Sequence, residues 1–266
     1  MTVSIEGVGL HGGWKVRVLL GTRPGPVVMV IGGQAFALAE LGLAGVERAT
    51  TVRVGETTVG TVEHLFAACA GMGVHEGLTI AVLGDELPLL DGGAARWCEA
   101  LDELGIAPSP PRLEVLADGE VRVGRSRYAF ARGQRGVTVR VDYDDPRVSP
   151  DASWSGDAAD FRERIAPART FAFARELGML AEQNLASHVT PESVIVLADD
   201  AVHAAGRRYE PDEPARHKLL DLMGDLFLYG GPPAGGSVHA DRPGHAATHE
   251  AVRVALARGL LGLLSS

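Results

Sequence analysis

The chain has 266 residues, of which 46% are apolar and 22% charged, a composition typical of a soluble globular protein with one large or two modest domains. Its net charge of −9 at pH 7 excludes a general attraction to nucleic acid or to anionic lipid. The sequence has neither a basic leader followed by an apolar run nor a stretch of about 18 uncharged apolar residues, so we expect no integral membrane segment and a cytoplasmic location.

The first part of the chain alternates like strands and then changes to helical spacing. Strands are predicted at 16–20, 27–31, 51–54 and 78–82, and helices at 61–72 and 94–104. The two cysteines, Cys69 and Cys98, lie within these helical patterns and form neither a CxxC pair nor a disulfide framework, so we expect two buried thiols.

A proline-rich break at 107–111 separates this part from a second one with a similar order of elements. There the patterns predict strands at 112–116, 120–131, 136–143, 170–173 and 193–197, and helices at 157–164, 212–229 and 245–264. Strands followed by helices in each half predict an α+β fold of two similar two-layer sandwiches, each a mostly antiparallel sheet packed on helices. We expect the two domains at 1–107 and 112–266.

One segment of the second half carries the most informative pattern for chemistry. His217 and Asp221 lie one helical turn apart, so both side chains project from the same face and can bind one metal ion. A catalytic zinc usually keeps three protein ligands, and His64, which directly follows Glu63, is a candidate for the third. A lone histidine on a helix is more often a structural residue than a ligand, but Asp225 follows Asp221 by another turn and strengthens the metal hypothesis.

Six collinear segments then match a known family, and they span nearly the whole chain. They are Gly7-Val8-Gly9-Leu10-His11-Gly12, Thr61-Val62-Glu63-His64-Leu65, Leu89-Leu90-Asp91-Gly92, Ala168-Arg169-Thr170-Phe171, Arg216-His217-Lys218-Leu219-Leu220-Asp221 with Gly224-Asp225-Leu226, and Gly244-His245-Ala246. With these segments the chain resembles the UDP-3-O-acyl-N-acetylglucosamine deacetylases, the zinc amidases that commit bacteria to lipid A synthesis. The resemblance implies an active site between the two domains and an acyl-passage insert at about 174–196.

The resemblance also implies the metal ligands and the general base. His64, His217 and Asp221 would bind Zn²⁺, the same three residues that the spacing nominates, and Fe²⁺ competes for such a donor set. Glu63 would take the proton from the attacking water.

Further roles follow from the same resemblance. His245, oriented by Asp225, would stabilise developing charge and protonate the leaving amine, while Thr170 and Lys218 would help to hold the oxyanion. Phe171 would pack near the sugar.

A nucleotide-linked substrate needs cations for its diphosphate, and three arginines are candidates. Arg242 stands three residues before His245, where the family commonly has a lysine. Arg127 and Arg132 are further candidates, although strand arginines are more often simply solvated.

The remaining motif residues are interpreted as structural and not as catalytic. Asp91 and His11 have architectural roles in our interpretation, Asp91 by capping or turning the chain before the second helix. The histidines outside the motifs are interpreted as surface residues: His75, His188, His203, His239 and His249.

The sequence departs from the family pattern mainly in the walls of the expected substrate site. The segment 183–193 lacks the usual turn and strand start of the acyl-passage insert, and 28–47 is shorter than the family norm. We expect a monomeric, Zn²⁺-dependent hydrolase that removes the 2-acetyl group of an acylated UDP-glucosamine. Two alternatives stay open: a deacetylase of another N-acetylated amino sugar without the long acyl chain, and a non-catalytic homologue.

Overall fold

A computed structural model of the chain describes residues 1–176, 190 and 192–264. The greater part of the predicted acyl-passage insert, together with His188, lies outside the described residues. No helix in the described ranges is long and apolar enough to span a membrane.

The first half forms a five-stranded sheet with a smaller three-stranded sheet and two helices. Its strands are β1 Thr2–Val8, β2 Lys15–Pro26, β3 Val28–Ile31, β4 Gln34–Ala37, β5 Gly42–Gly45, β6 Thr51–Val54, β7 Thr57–Val59 and β8 Glu76–Leu83, with a 3-10 turn at Leu38–Glu40 and helices α1 Glu63–Met72 and α2 Ala95–Leu104. The large sheet has the order β1-β2-β8-β3-β4, and the small one β5-β6-β7. The alternation that predicts β2 is confirmed, since Val16, Val18 and Leu20 face the core and are buried.

The second half repeats this architecture. Its elements are β9 Leu113–Val115, β10 Gly119–Val123, β11 Ser126–Arg132, β12 Gly136–Arg140, β13 Asp151–Trp154, short helical turns at Ala158–Asp160 and Phe161–Ile165, β14 Thr170–Phe173, β15 Val194–Leu197, β16 Val202–His203, α3 Glu213–Phe227, β17 Gly236–Asp241, α4 His245–Ala257 and β18 Leu261–Leu263. The large sheet has the order β10-β11-β17-β12-β13, the small one is β14-β15-β16, and β18 pairs with β9.

The two large sheets share one topology, which reveals an internal repeat that sequence identity alone is too weak to show. In each, the central strand pairs antiparallel with one neighbour and parallel with the other, and both outer strands pair antiparallel. In each half one helix precedes the central strand and one follows it. The predicted α+β class with mostly antiparallel sheets packed on helices is therefore confirmed.

Helices α1 and α3 bring the halves together. Both are buried along almost their whole length, and they contribute Leu65, Phe66, Leu220 and Phe227 to one hydrophobic core that continues through both halves. In the sequence, one large sheet precedes the proline-rich break at 107–111 and the other follows it. The exact domain boundaries stay a prediction.

Three predicted elements need correction. The helix predicted at 245–264 ends at Ala257 because Gly259 adopts a φ of +67°, and the chain then forms β18. The strand predicted at 120–131 is a hairpin, since Gly124 turns the chain with a φ of +55°. The helix predicted at 157–164 is a three-residue α-turn followed by a π-helical turn.

Two histidines were wrongly predicted to be surface residues. His75 and His249 are only 7% and 3% exposed, because α3 and the turns that follow it cover both side chains. His203 is exposed as predicted, and His239 is half-buried. Cys69 and Cys98 are both buried free thiols, as predicted.

Candidate active site

A cavity of about 370 Å³ lies between the two halves. The side chains around it include Glu63 and His64 from the first turn of α1, and His217, Lys218 and Asp221 from α3. Thr170, Phe171 and His245 complete the group of sequence-predicted residues on its wall. The fold therefore brings eight of the nominated residues together around one cavity.

The three nominated metal ligands form the centre of this group. Suitable ligand atoms of His64, His217 and Asp221 all lie within 4.8 Å of one another, and all three residues are buried. The Oδ1 atom of Asp221 is 3.5 Å from Nε2 of His217 and 3.9 Å from Nε2 of His64. Two imidazoles and a carboxylate at this spacing are a donor set that suits Zn²⁺.

The protonation states of these three side chains favour a cation. Burial, followed by the neighbouring His217, lowers the pKa of His64 to about 3, and burial also lowers the pKa of His217. Burial opposes ionisation of Asp221, but Lys218 and the surrounding histidines hold the pKa of that carboxyl well below its usual range. Both imidazoles are thus neutral and the carboxylate is charged, as metal ligands must be.

Hydrogen bonding distinguishes the two imidazoles. The Nδ1 atom of His217 lies 3.0 Å from the carbonyl oxygen of Ala168, which can only accept, so Nδ1 bears the proton and Nε2 keeps its lone pair for the cavity. The Nδ1 atom of His64 is buried and has no hydrogen-bond partner in the described part of the chain. Nε2 is the ring nitrogen of His64 that lies toward Asp221, so it is the atom placed to bind a cation.

A motif in each half holds the wall strand β14 in place. Arg169 is buried and forms a bidentate pair with Glu213 at the start of α3, with nitrogen to oxygen distances of 2.9 and 3.1 Å. The backbone N–H and hydroxyl of Thr170 both donate to the carbonyl of Gly92 in the first half, at 2.7 and 2.9 Å. The Ala-Arg-Thr-Phe segment at 168–171 is therefore hydrogen-bonded across the cleft to the Leu-Leu-Asp-Gly segment at 89–92.

The loop that carries His11 also has an architectural contact. The backbone N–H groups of His11 and Gly12 donate to the Glu86 carboxylate at 3.2 and 2.8 Å, and the Thr61 hydroxyl lies 3.5 Å from it. Thr61 has a φ of +57°, a left-handed conformation uncommon for a threonine, just before the α1 turn that carries Glu63. This contact accounts for the loop without assigning a chemical role to His11.

Glu63 and His245 face each other across the cavity. The Oε1 atom of Glu63 is 4.0 Å from Nε2 of His245, and its Oε2 accepts a hydrogen bond from the Thr50 backbone N–H at 3.0 Å. Burial raises the pKa of Glu63 to about 7. Burial alone would lower the pKa of His245, but the carboxylates of Asp225 and Asp221 raise it to about 9.

Asp225 lies against His245, the pair that the family resemblance nominates. Its Oδ2 and Oδ1 atoms lie 3.0 and 3.1 Å from Nδ1 of His245, which leaves the other ring nitrogen directed at the cavity. Burial opposes ionisation of Asp225, but His245 holds the pKa of that carboxyl below its usual range.

Lys218 and Phe171 also lie at the cluster. The Lys218 ammonium is 2.7 Å from Oδ2 of Asp221, and this carboxylate outweighs burial to raise the lysine's pKa. The Phe171 ring packs edge-on against His217 and Tyr143, at centroid distances of 6.0 and 5.4 Å.

The three nominated arginines lie further from the cluster. Arg242 borders a neighbouring depression that shares Tyr143 with the cavity, and it contacts Asp142 and Asp241 at 3.3 Å. Arg127 pairs with Glu120 at 2.5 Å, on a strand position opposite Asp241.

Arg132 lies at the other end of the same strand, opposite Gly236, and pairs with Asp118. The fold thus does not bring Arg132 to the cavity, since four residues of extended strand lie between it and Arg127.

Sequence reasoning missed two buried residues behind the site. The hydroxyl of Thr50 donates to Asp225 at 2.6 Å, and Nε2 of His249 lies 3.4 Å from the same carboxylate oxygen. His249 stands one helical turn after His245, a spacing that could have indicated it. Nothing local marks Thr50, because the partners of its hydroxyl come from the other half of the chain.

The fold and the site together define a class of protein: an α+β hydrolase with its ionisable groups gathered in a cleft between two similar halves. A family model described as UDP-3-O-acyl N-acetylglycosamine deacetylase matches residues 1–257. The chain therefore belongs to the UDP-3-O-acyl N-acetylglycosamine deacetylase family, and it is a deacetylase-type hydrolase that acts on an amide.

Curated relatives agree with this membership. The chain is 35% identical to a UDP-3-O-acyl-N-acetylglucosamine deacetylase of Myxococcus xanthus (strain DK1622), over 94% of this chain and 82% of the relative. It is 34% identical to the protein of the same name from Thermosynechococcus vestitus, over 87% and 84% of the two chains. A third, from Brucella melitensis biotype 2, is 32% identical over 96% and 92%.

Proposed function

We propose that the protein hydrolyses the 2-acetamido group of UDP-3-O-acyl-N-acetylglucosamine in lipid A biosynthesis, giving the free amine and acetate. The observation that carries the proposal is the convergence of His64, His217, Asp221, Glu63 and His245 on one cavity, in a member of this deacetylase family. A cytoplasmic location and a monomeric state remain predictions that accompany it.

The proposal assigns the metal site to His64, His217 and Asp221. Their mutual spacing, the lone pair kept by His217 and the position of Nε2 of His64 beside Asp221 fit a divalent cation. Bound Zn²⁺ would act as a Lewis acid on water and on the amide carbonyl, and Fe²⁺ suits the same donors.

Glu63 is the proposed general base. Its Oε2 is held by the Thr50 N–H, so Oε1 remains to accept the proton of the attacking water. A carboxyl pKa near 7 suits this task, because a base with a pKa close to the operating pH combines availability with basicity.

His245 is the proposed general acid, with Asp225 as its positioning partner. Its raised pKa keeps the imidazolium charged near neutral pH, so Nε2 can donate a proton to the leaving amine. Lys218 adds a second positive charge where the oxyanion develops. Thr170 could join as an oxyanion donor only if its hydroxyl turned away from the Gly92 carbonyl.

The same cavity supports the proposed substrate class. Phe171 offers an apolar face beside His217 for the sugar. Arg242, in the depression beyond Tyr143, is the proposed diphosphate contact, and Arg127 lies near the same end of its sheet. Arg132 is left out of the proposal because of its position at the far end of the strand.

Hydrolysis assays with metal control test the function. Purified protein should release acetate from acylated UDP-N-acetylglucosamine, lose this activity with a chelator and recover it with stoichiometric Zn²⁺. Protein that binds no metal and is indifferent to chelators would contradict the proposal.

The choice of substrate is tested with a matched compound that lacks the acyl chain. A strong preference for the acylated form supports the lipid A assignment, whereas equal turnover of both compounds favours a different N-acetylated amino sugar. Zinc-loaded protein that hydrolyses neither compound would point to a non-catalytic homologue.

A further inference from the structure

The side chains of two histidines and a threonine surround the Asp225 carboxylate. Nδ1 of His245 lies 3.0 Å from its Oδ2, 3.1 Å from its Oδ1 and 3.3 Å from the Thr50 hydroxyl, which donates to Oδ1 at 2.6 Å. Nε2 of His249 lies 3.4 Å from the same Oδ1 and 3.1 Å from the Thr50 hydroxyl. All four side chains are buried, so none of these contacts is weakened by competition with bulk water.

The direction of each hydrogen bond in this group follows from which atoms can donate a proton and which can only accept one. Asp225 is ionised and accepts only, so the Thr50 proton points to it. The Thr50 oxygen can then only accept from Nε2 of His249, which fixes the proton of His249 on that nitrogen. With a single proton on the ring, Nδ1 of His249 accepts, and the Tyr229 hydroxyl lies 3.0 Å from it as donor.

Tyr229 is suited to the donor role. Burial raises the pKa of its hydroxyl to about 12, so it keeps its proton throughout the neutral range. The chain Tyr229, His249, Thr50 and Asp225 thus has one consistent pattern in which every contact joins one donor to one acceptor.

We propose that His249 is a positioning residue for the reaction, acting through Asp225 on His245. Together with Thr50 it holds the Asp225 carboxylate on the Oδ1 side. Both carboxylate oxygens then stay against Nδ1 of His245, and Nε2 of His245 stays directed at the cavity. His249 itself does not line the cavity and does not touch the substrate region. The consequence for the rate rests on the proposed function, whereas the hydrogen-bond pattern does not.

Two substitutions at His249 separate positioning from simple space-filling. The amide nitrogen of glutamine reaches the place of Nε2, so H249Q keeps a donor for Thr50 and Asp225. The shorter asparagine reaches only the place of Nδ1, so H249N loses that donor. We expect kcat to fall about 10- to 100-fold in H249N with KM nearly unchanged, and H249Q to recover most of kcat.

Controls exclude loss of folding or metal as the cause. Both variants should bind as much zinc as the unchanged protein, and H203N, at an exposed histidine, should leave kcat unchanged. Equal kinetics in H249N and H249Q would overturn the proposal. If H249N does not fold, Y229F replaces it, and a kcat in Y229F equal to that of the unchanged protein overturns the proposal in the same way.

A spectroscopic measurement decides the pattern even if the protein hydrolyses no tested substrate. Nitrogen-15 chemical shifts of His249, assigned by their loss in H249Q, should report a proton on Nε2 and none on Nδ1. In Y229F the Nδ1 shift should move, because its donor is gone. A ring protonated at Nδ1, or a spectrum indifferent to Y229F, would overturn the inference, whereas an inactive wild type with the expected shifts would refute only the proposed function.

Discussion

Glu63 and His245 show how burial and neighbouring charges divide acid from base within one cavity. Both side chains are almost fully buried, which penalises the charged form of each. For Glu63 the nearby His245 offsets this penalty only in part, and the carboxylates of Asp221 and Asp225 add to it, so its pKa rises to about 7. His245 faces Asp225, and its pKa rises to about 9. Near neutral pH the carboxylate can therefore accept a proton while the imidazolium can donate one.

Replacement of Glu63 tests this division directly. The substitution E63Q keeps the shape and the Thr50 contact but removes the basic oxygen, so we expect kcat to fall on the order of 10²-fold or more with zinc content unchanged. Single-turnover hydrolysis and metal analysis measure the two effects separately. The matched control E56Q, at an exposed glutamate, should behave like the unchanged protein. Undiminished hydrolysis in E63Q would remove Glu63 from the mechanism.

At this scale the sequence predicts ligands that share a helix turn and misses partners that meet only in the fold. His217 and Asp221 are visible because their spacing of four residues fixes their common face. The Thr50 contact with Asp225 spans 175 residues, so no local pattern indicates it. His249 has the right spacing from His245, but a histidine four residues after another has many surface counterparts.

Among the elements, the crossing of α1 and α3 fixes the site geometry. Gly224 of α3 lies against the backbone of α1, where an added Cβ would come within 2.1 Å of the Glu63 carbonyl oxygen. A backbone atom cannot rotate away as a side chain can, so the two helices would have to separate. The close crossing thus sets the distance between the proposed base on α1 and the proposed ligands on α3.

The substitution G224A should therefore invert the usual effect of alanine in a helix. In an open helix interior, alanine stabilises by up to about 1 kcal/mol relative to glycine. Here we expect overpacking to destabilise the protein by about 1–3 kcal/mol and to lower kcat, since Glu63 moves away from Asp221. Urea denaturation and acetate release are the measurements. G21A is the control, because its added Cβ meets only ordinary contacts at 3.8 Å; unchanged stability in G224A would contradict the tight crossing.

Sequence patterns predict the core elements better than the edges. The strand at 170–173 and both helices α1 and α3 agree with their predicted bounds within two residues. The short strands β5, β7 and β18 were missed, because each is only three or four residues long, and β5 and β7 are also mostly exposed. Their strand conformation comes from pairing with a neighbour, a tertiary effect that a local window does not contain.

At the scale of the whole molecule, the proline-rich break at 107–111 and the end of α3 both contact the first half and so hold the two halves together. The Ser109 hydroxyl accepts from the N–H groups of His75 and Glu76 at 2.9 Å, and the Ser109 N–H donates to the Gly73 carbonyl at 2.7 Å. The His75 ring packs on Phe227 at a centroid distance of 5.4 Å. A titratable ring is therefore buried where the first half meets the second.

Protonation of His75 should weaken the folded molecule in mild acid. Burial, with a smaller contribution from Arg135, lowers the pKa of His75 from 6.5 to about 4, so the unfolded chain binds a proton that the folded chain resists. The stabilising effect of neutral His75 is complete above pH 6.5 and is lost as the pH falls toward 4. At pH 5 the free energy of unfolding has fallen by about 2 kcal/mol through this titration.

The variant H75Q removes this titration while keeping a polar side chain of similar size. Between pH 7 and 5 we expect the unchanged protein to lose about 2 kcal/mol more of its free energy of unfolding than H75Q does, whatever the absolute stability of the variant at pH 7. Urea denaturation at both pH values measures the difference, and H203Q, at an exposed histidine, should follow the unchanged protein. Parallel stability curves for H75Q and the unchanged protein would mean that His75 protonates as readily in the folded state as in the unfolded one. Since the ring can gain a proton that easily only with access to water, such curves would also contradict the tight contact between the halves at this point.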